Sequence, residues 1–223
     1  MFSCTPDELL GPLNDVERRN APRAFWYEGD ASLARTGARV SVVGTRDVSD
    51  EGRRRAARVA RFLVERGATI VSGLAAGVDT VAHTTAIERG GRTVAVIGTG
   101  LDVVFPPQNR ALHARIAAEH LLLSQFPPGT PVHKTRFPQR NRTMALLSHA
   151  TVIVEAGDSS GTLSQGWEAL RLGRPLFILR SVALDPKLKW PQEMIAYGAI
   201  VLEQPEQLLP ALPEGGDERD VLF

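Results

Sequence analysis

Three glycine-bearing turns and a cluster of arginines are the parts of this sequence that could do chemistry. Gly44-Thr45-Arg46, then Ser72-Gly73 with Gly77, then Gly98 with Gly100, each follow a short apolar run. Glycine at such a crest lets backbone N–H groups approach phosphate oxygens, and the positive end of a following helix favours the same anion. Any one of these glycines could serve only a tight turn. All three in succession, with Arg46 beside the first, read as a row of phosphate seats. None fits G-x-G-x-x-G, because Gly98-x-Gly100 runs into Leu101-Asp102-Val103 and no acid stands at the ribose position, so an NAD site is not expected.

The second constellation is the basic stretch Lys134-Thr135-Arg136-Phe137-Pro138-Gln139-Arg140-Asn141-Arg142. Guanidinium groups clamp phosphates bidentately, an aromatic ring stacks a base, and an asparagine orients a base edge. Read as a basic loop beside a sheet crest, it suits single-stranded nucleic acid; the alternative is that Phe137 is core and the arginines are solvated. Asn109-Arg110, opening a helix after Pro106-Pro107, joins the candidate phosphate contacts. Ser160-Gly161-Thr162 is a third cradle at a helix start, and Glu168 farther along that helix is the one candidate general acid or base. Its isolation favours a solvated side chain, so no catalytic residue is expected. His83 reads as a buried, hydrogen-bonded histidine, with Asp79 four residues earlier as its partner. No second ligand falls at metal spacing from it, and the single cysteine, Cys4, forms neither an internal disulfide nor a metal site alone. Neither metal nor cofactor is expected.

The elements that must hold these residues follow a regular pattern from Arg39 onward. Val40, Val42 and Val43 form a strand apolar on both faces; the Gly-Thr-Arg turn follows, and then a helix burying Ala56, Val59, Ala60 and Leu63 ends at Arg66-Gly67. Further strands are expected over 68–71, 93–97, 121–123, 151–155, 175–179 and 199–202. Helices are expected over 78–89, 109–119, 140–148, 163–172, 192–197 and 205–209. Strands alternating with helices over short connections imply an α/β fold with a doubly wound, mostly parallel sheet. Ligands of such sheets sit outside the carboxyl ends of the strands. Residues 1–36, with a helix start at Thr5-Pro6-Asp7-Glu8 and a strand at 24–27, read as a small annex packed on a core of residues 37–212. An acidic tail covers 213–223. The stretch Gln125–Phe137 is a long irregular connection, of the kind that is usually functional or mobile.

A net charge of +1 does not advertise a polyanion partner, but its distribution is uneven. Arg53, Arg54, Arg55, Arg58 and Arg61 crowd one helix, and Arg136, Arg140 and Arg142 crowd one segment, so a neutral total hides basic patches. The start of the chain lacks a basic region followed by an apolar one, and no run is long enough to span a bilayer. A cytoplasmic location is the expectation.

The segments SVVGTR, VSGLAAGVDTVAH, GGRTVAVIGTGLDVVFPPQN, LLSQFPPGTP and FPQRNRTMALLSHATVIVEA, in this order between Arg39 and Ala156, resemble the Rossmann-like core of the DNA-processing protein A (DprA, or Smf) family. YEGD at Tyr27 extends the likeness leftward. The resemblance implies binding of single-stranded DNA, and also duplex, without base-sequence preference. It also implies protection of incoming DNA during natural transformation, help in loading the RecA recombinase, self-association as a homodimer, and neither metal nor nucleotide hydrolysis. It places the DNA-pocket positions on Gly44 and Arg46, the Gly73 loop, and Arg140-Asn141-Arg142. The family usually carries a helical domain before the core and often a winged-helix domain after it, and neither is expected in this sequence. Where the family shows a Ser-Gly-Ser turn and a Thr-Ala helix, this sequence has Ser160-Gly161-Thr162-Leu163 through Glu168, a region bearing on self-association and RecA contact. That altered turn leaves open a nucleotide-binding sensor or a nucleotide-cleaving, phosphoribohydrolase-like enzyme, with Thr162 on a phosphate and Glu168 as acid or base.

Overall fold

The computed structural model of the chain describes residues 1–213; the acidic tail expected beyond them lies outside the described residues. In chain order the elements are β1 (Phe2–Cys4), α1 (Pro6–Leu10), α2 (Asp15–Asn20), β2 (Phe25–Gly29), β3 (Arg39–Val43), α3 (Asp50–Glu65) and β4 (Thr69–Ser72). There follow α4 (Val78–Glu88), β5 (Arg92–Ile97), α5 (Arg110–Glu119), β6 (Leu121–Ser124), α6 (Arg136–Leu147), β7 (Ala150–Ile153), α7 (Thr162–Arg171) and β8 (Leu176–Leu179). The series closes with α8 (Arg180–Ala183), α9 (Trp190–Ala196), β9 (Ile200–Leu202) and a 3-10 turn over Pro205–Ala211. The strands form one nine-stranded sheet in the order β1-β2-β6-β5-β4-β3-β7-β8-β9. All pairs from β6 to β9 are parallel, while β1 and β2 add antiparallel at one edge. This is the α/β, doubly wound, mostly parallel fold that the alternating pattern implies.

Side chains alternate across each strand, and helices cover both faces. Val40 and Val42 of β3 meet Val59 and Leu63 of α3 and Ala82 of α4 on one face. Val43 and Ile153 meet Met144 and Leu147 of α6 and Met194 of α9 on the other. Leu63 is fully buried, so truncating it to alanine costs about 2–5 kcal/mol. The start of α3 is fixed by Ser49, whose Oγ accepts from Gly52 N–H at 2.9 Å, with Asp50 and Glu51 favourably placed in the first turn.

The departures from expectation have local causes. Helix α6 begins at Arg136, four residues earlier than the 140–148 reading, because Pro138 sits at the third helical position, where no intrahelical partner for an N–H exists. Strand β1 is too short for periodicity. Helix α2 carries a readable Asn14/Glu17 capping box but buries none of its residues. Pro205–Ala211 winds as 3-10 rather than α-helix and holds Pro210 inside it.

Candidate functional site

Strand β3 is the switch point of the sheet: β4 lies on one side of it and β7 on the other, so the loops after β3 and β7 diverge and leave a crevice between them. A cavity of about 470 Å³ occupies it, lined by Gly44, Thr45 and Arg46 after β3 and by Ser160, Gly161 and Thr162 before α7. Phe137, Arg140 and Asn141 of α6 close it from one side, and Asp79 of α4 lies at its base. The two loops are tied together. Thr45 N–H donates to the Glu155 carbonyl at 2.7 Å, Val78 N–H to the Thr45 carbonyl at 3.2 Å, and Thr162 Oγ1 to the Gly44 carbonyl at 2.9 Å. Gly77 has φ +80°, and a Cβ there would lie 2.2 Å from the Thr45 carbonyl oxygen, so only glycine lets α4 start this close to the loop.

Arg46 is exposed at the mouth, its guanidinium 4.9 Å from the centroid of the Phe137 ring, within cation–π range. Phe137 packs in turn on Phe105, with centroids 5.7 Å apart, and against Gly98. At the start of α7, Thr162 N–H donates to Ser160 Oγ at 3.3 Å, and the N–H groups of Leu163 and Ser164 donate to the Ser160 and Gly161 carbonyls at 3.1 and 3.3 Å, so the turn beside the cavity is held from within.

Arg140 lies deeper, 5% exposed, facing Asp79, which is 4% exposed. Their Nη1 and Oδ2 atoms are 3.9 Å apart, an ion pair without a direct hydrogen bond. Asp79 Oδ2 accepts instead from Gly73 N–H at 3.1 Å and Ala75 N–H at 3.3 Å. Burial pushes the Asp79 carboxyl above the usual carboxylate range, against the pull of Arg140 and those amides. Burial also lowers the Arg140 guanidinium from its ordinary value, with Asp79 opposing. Arg140 Nη1 donates to the Val96 carbonyl at 3.3 Å, while its buried Nε has no hydrogen-bond partner among the described residues. Gly73 makes room for this guanidinium, since a Cβ there would lie 1.2 Å from Nη1.

The stretch read as a basic loop is helix from Arg136 on, and helical rotation separates its cations. Arg140 and Asn141 face the cavity, whereas Arg142 lies outside its lining and pairs with Glu168 at 3.1 Å. Glu168 is also held by Arg171 of its own helix, and likewise does not line the cavity. Asn141 Nδ2 reaches the Gly161 carbonyl at 3.1 Å and Ser164 Oγ at 2.6 Å, bracing the α7 start. Arg136 bonds the Pro131 carbonyl and lies over Phe126, and Lys134 is exposed ahead of the helix.

Several other candidates are braces. Ser72 Oγ donates to the Val42 carbonyl at 2.7 Å. Buried Asn109 bonds the Leu74 carbonyl at 3.0 Å and Thr80 Oγ1 at 2.9 Å. Gly100 N–H bonds the Thr130 carbonyl at 2.9 Å, and Arg110 is exposed on α5; neither lines the cavity. His83 is buried as expected, but its partner is Thr93, with Nδ1 and Oγ1 2.6 Å apart, and not Asp79, whose carboxylate turns toward Gly73 and Arg140. Asp79, read from the sequence as the partner of His83, instead lines the cavity beside Arg140, while Glu155 serves the loops from outside the lining. Glu155 accepts from Ser49 Oγ at 2.6 Å and so fixes the start of α3.

Residues 8–213 match the family model for DNA recombination-mediator protein A. Protein Smf of Synechocystis is 39% identical over 211 residues, covering 93% of this chain and 53% of the relative. The chain thus spans about half the length of that protein. The X-ray structure of DNA processing protein A from Streptococcus pneumoniae superposes with a TM-score of 0.83 at 34% identity, covering 96% of this chain and 75% of that one. DNA processing protein A from Helicobacter pylori, whose structure concerns a single-stranded DNA binding mode, superposes with a TM-score of 0.78 at 26% identity, covering 93% and 94%. By its matched segments and its fold, the chain belongs to the DNA recombination-mediator protein A family.

Proposed function

We propose that the switch-point cavity seats the phosphate backbone of single-stranded DNA, and that the protein acts in DNA uptake and recombination in the cytoplasm. The observation that carries this reading is the convergence of an exposed guanidinium, Arg46, and a buried one with an unpartnered Nε, Arg140, on one cavity. Guanidinium groups hold phosphates without regard to base sequence. Phe137, beside Arg46, supplies a face on which a base can stack. Gly44, Thr45, Ser160, Gly161 and Thr162 contribute backbone and hydroxyl contacts at the rim. The single-stranded DNA binding mode of the Helicobacter pylori relative supports the same use.

The family's description as a recombination mediator supports delivery of the bound strand to a recombinase of the RecA type. A homodimer is supported by an exposed aromatic pair, Trp167 and Tyr197, which meet edge to face at 5.3 Å. The competing reading, a mononucleotide pocket with Glu168 as acid or base, draws on the volume of the cavity. Against it, Glu168 is held by two arginines outside the lining. Titration of a labelled oligonucleotide, competed with mononucleotides, separates the two. A polymer binder keeps its oligonucleotide under excess mononucleotide, and a monomer pocket releases it.

A further inference from the structure

The arginine-rich face of α3 forms one wall of a second depression, of about 520 Å³, which shares no lining residue with the crest cavity. The ends of β8 and β9, together with α8, supply the rest. Its floor is aliphatic, with Val59 and Leu202 buried, and Leu184 stands 56% exposed at the edge. Its rim carries Arg55, Arg58 and Arg180 against the single carboxylate of Glu203. Each guanidinium has five donors, and none of the three is saturated. Arg55 donates to Ser181 Oγ at 2.8 Å and pairs with Glu51 at 3.2 Å. Among the described residues Arg58 reaches one acceptor, the Gln204 amide oxygen at 3.5 Å. Arg180 meets Glu203 at 3.5 Å, with both side chains more than half exposed.

We propose that this depression is a docking site for an acidic peptide segment of a partner protein. Its carboxylates would pair with Arg55, Arg58 and Arg180, and one large apolar side chain would rest on the Val59–Leu202 floor. Charge complementarity selects the acidic chemistry, because three guanidinium groups meet two carboxylates, Glu51 at Arg55 and Glu203 at Arg180, and Arg58 has neither. The aliphatic floor selects a peptide over a nucleic acid, since the lining offers no aromatic ring for a base to stack on. An apolar anchor inside a charged rim is the anatomy of a peptide hot spot, and Arg55 and Arg58, one helical turn apart, present their forks on a rigid helix face.

The test is fluorescence anisotropy on the full chain with a short labelled peptide of aspartates flanking a leucine-phenylalanine pair. Two control peptides replace the aspartates by asparagine or the apolar pair by alanine. Arg58→Gln and Leu184→Asp are solvent-facing changes whose folding is checked by circular dichroism. The site predicts saturable binding that falls at least about tenfold with either control peptide and with either variant. Oligonucleotide affinity should stay unchanged in both variants. Binding indifferent to Arg58 and Leu184, or absent altogether, overturns the proposal. A loss of oligonucleotide affinity in Arg58→Gln without peptide binding overturns it in favour of a nucleic-acid surface. Neither result bears on the crest cavity, which Arg46 variants probe separately.

Discussion

The guanidinium of Arg46 lies 4.9 Å from the centre of the Phe137 ring, joining the loop after β3 to the first turn of α6. An exposed arginine at a crest would otherwise sample many rotamers. Resting on an aromatic face, it is pre-organised for a phosphate at the cavity mouth.

Arg46→Ala is therefore expected to weaken oligonucleotide binding about equally for different sequences. It should also flatten the dependence of log K on log salt by about 0.7, the change for one phosphate contact to a single strand. Phe137→Leu keeps the apolar contact with Phe105 but removes the aromatic face, and a smaller loss of about 0.5–1 kcal/mol should follow. Anisotropy titrations at several salt concentrations measure both.

The buried pair Asp79–Arg140 holds the base of the cavity. Removing one member leaves the other charge uncompensated, so Asp79→Ala is expected to destabilise the fold by about 3–5 kcal/mol. Pairing Asp79→Asn with Arg140→Met should recover much of that stability while still impairing DNA binding. Urea unfolding of the single and double variants checks the first expectation, and titration of the folded double variant checks the second.

Burial, with the nearby Arg140 and His120 acting in the same direction, lowers the pKa of His83 to about 3. The unfolded chain takes up this proton first, so the stability His83 contributes is complete above its ordinary value of 6.5 and is lost as pH falls toward 3. Buried His113 and His120 shift in the same direction. Asp79, raised by burial, works the opposite way, regaining stability as it protonates. A His83→Gln variant isolates the histidine, because its urea midpoint should fall less steeply below pH 6.5 than that of the parent chain.

The exposed Trp167–Tyr197 pair makes a separate prediction. Tyr197→Glu places a charge on a side chain that is 74% exposed and half of an aromatic contact. It should convert a dimer to monomer in concentration-dependent light scattering, with the far-ultraviolet spectrum unchanged.

The parallel strands and the helices between them were legible because Val40-Ser41-Val42-Val43 and its counterparts are apolar on both faces and end at glycine. The seating of Arg46 at a crest was legible for the same reason. What pattern reading missed depends on rotation about α6. Once Pro138 is allowed in the first turn, Arg140 and Arg142 point in different directions, one to Asp79 and one to Glu168. Likewise Asn109 and Ser72, attractive as polar groups beside crests, are committed to carbonyls of Leu74 and Val42, which only the tertiary structure brings near.

Backbone amide shifts on adding a single-stranded oligonucleotide test the seat of the phosphates most directly. Perturbations centred on Gly44, Thr45, Arg46, Ser160 and Gly161, and abolished at those sites by Arg46→Ala, are expected. Perturbations confined to the outer faces of α3 or α7, with the loops after β3 and β7 unmoved, would contradict the binding of DNA at the switch point.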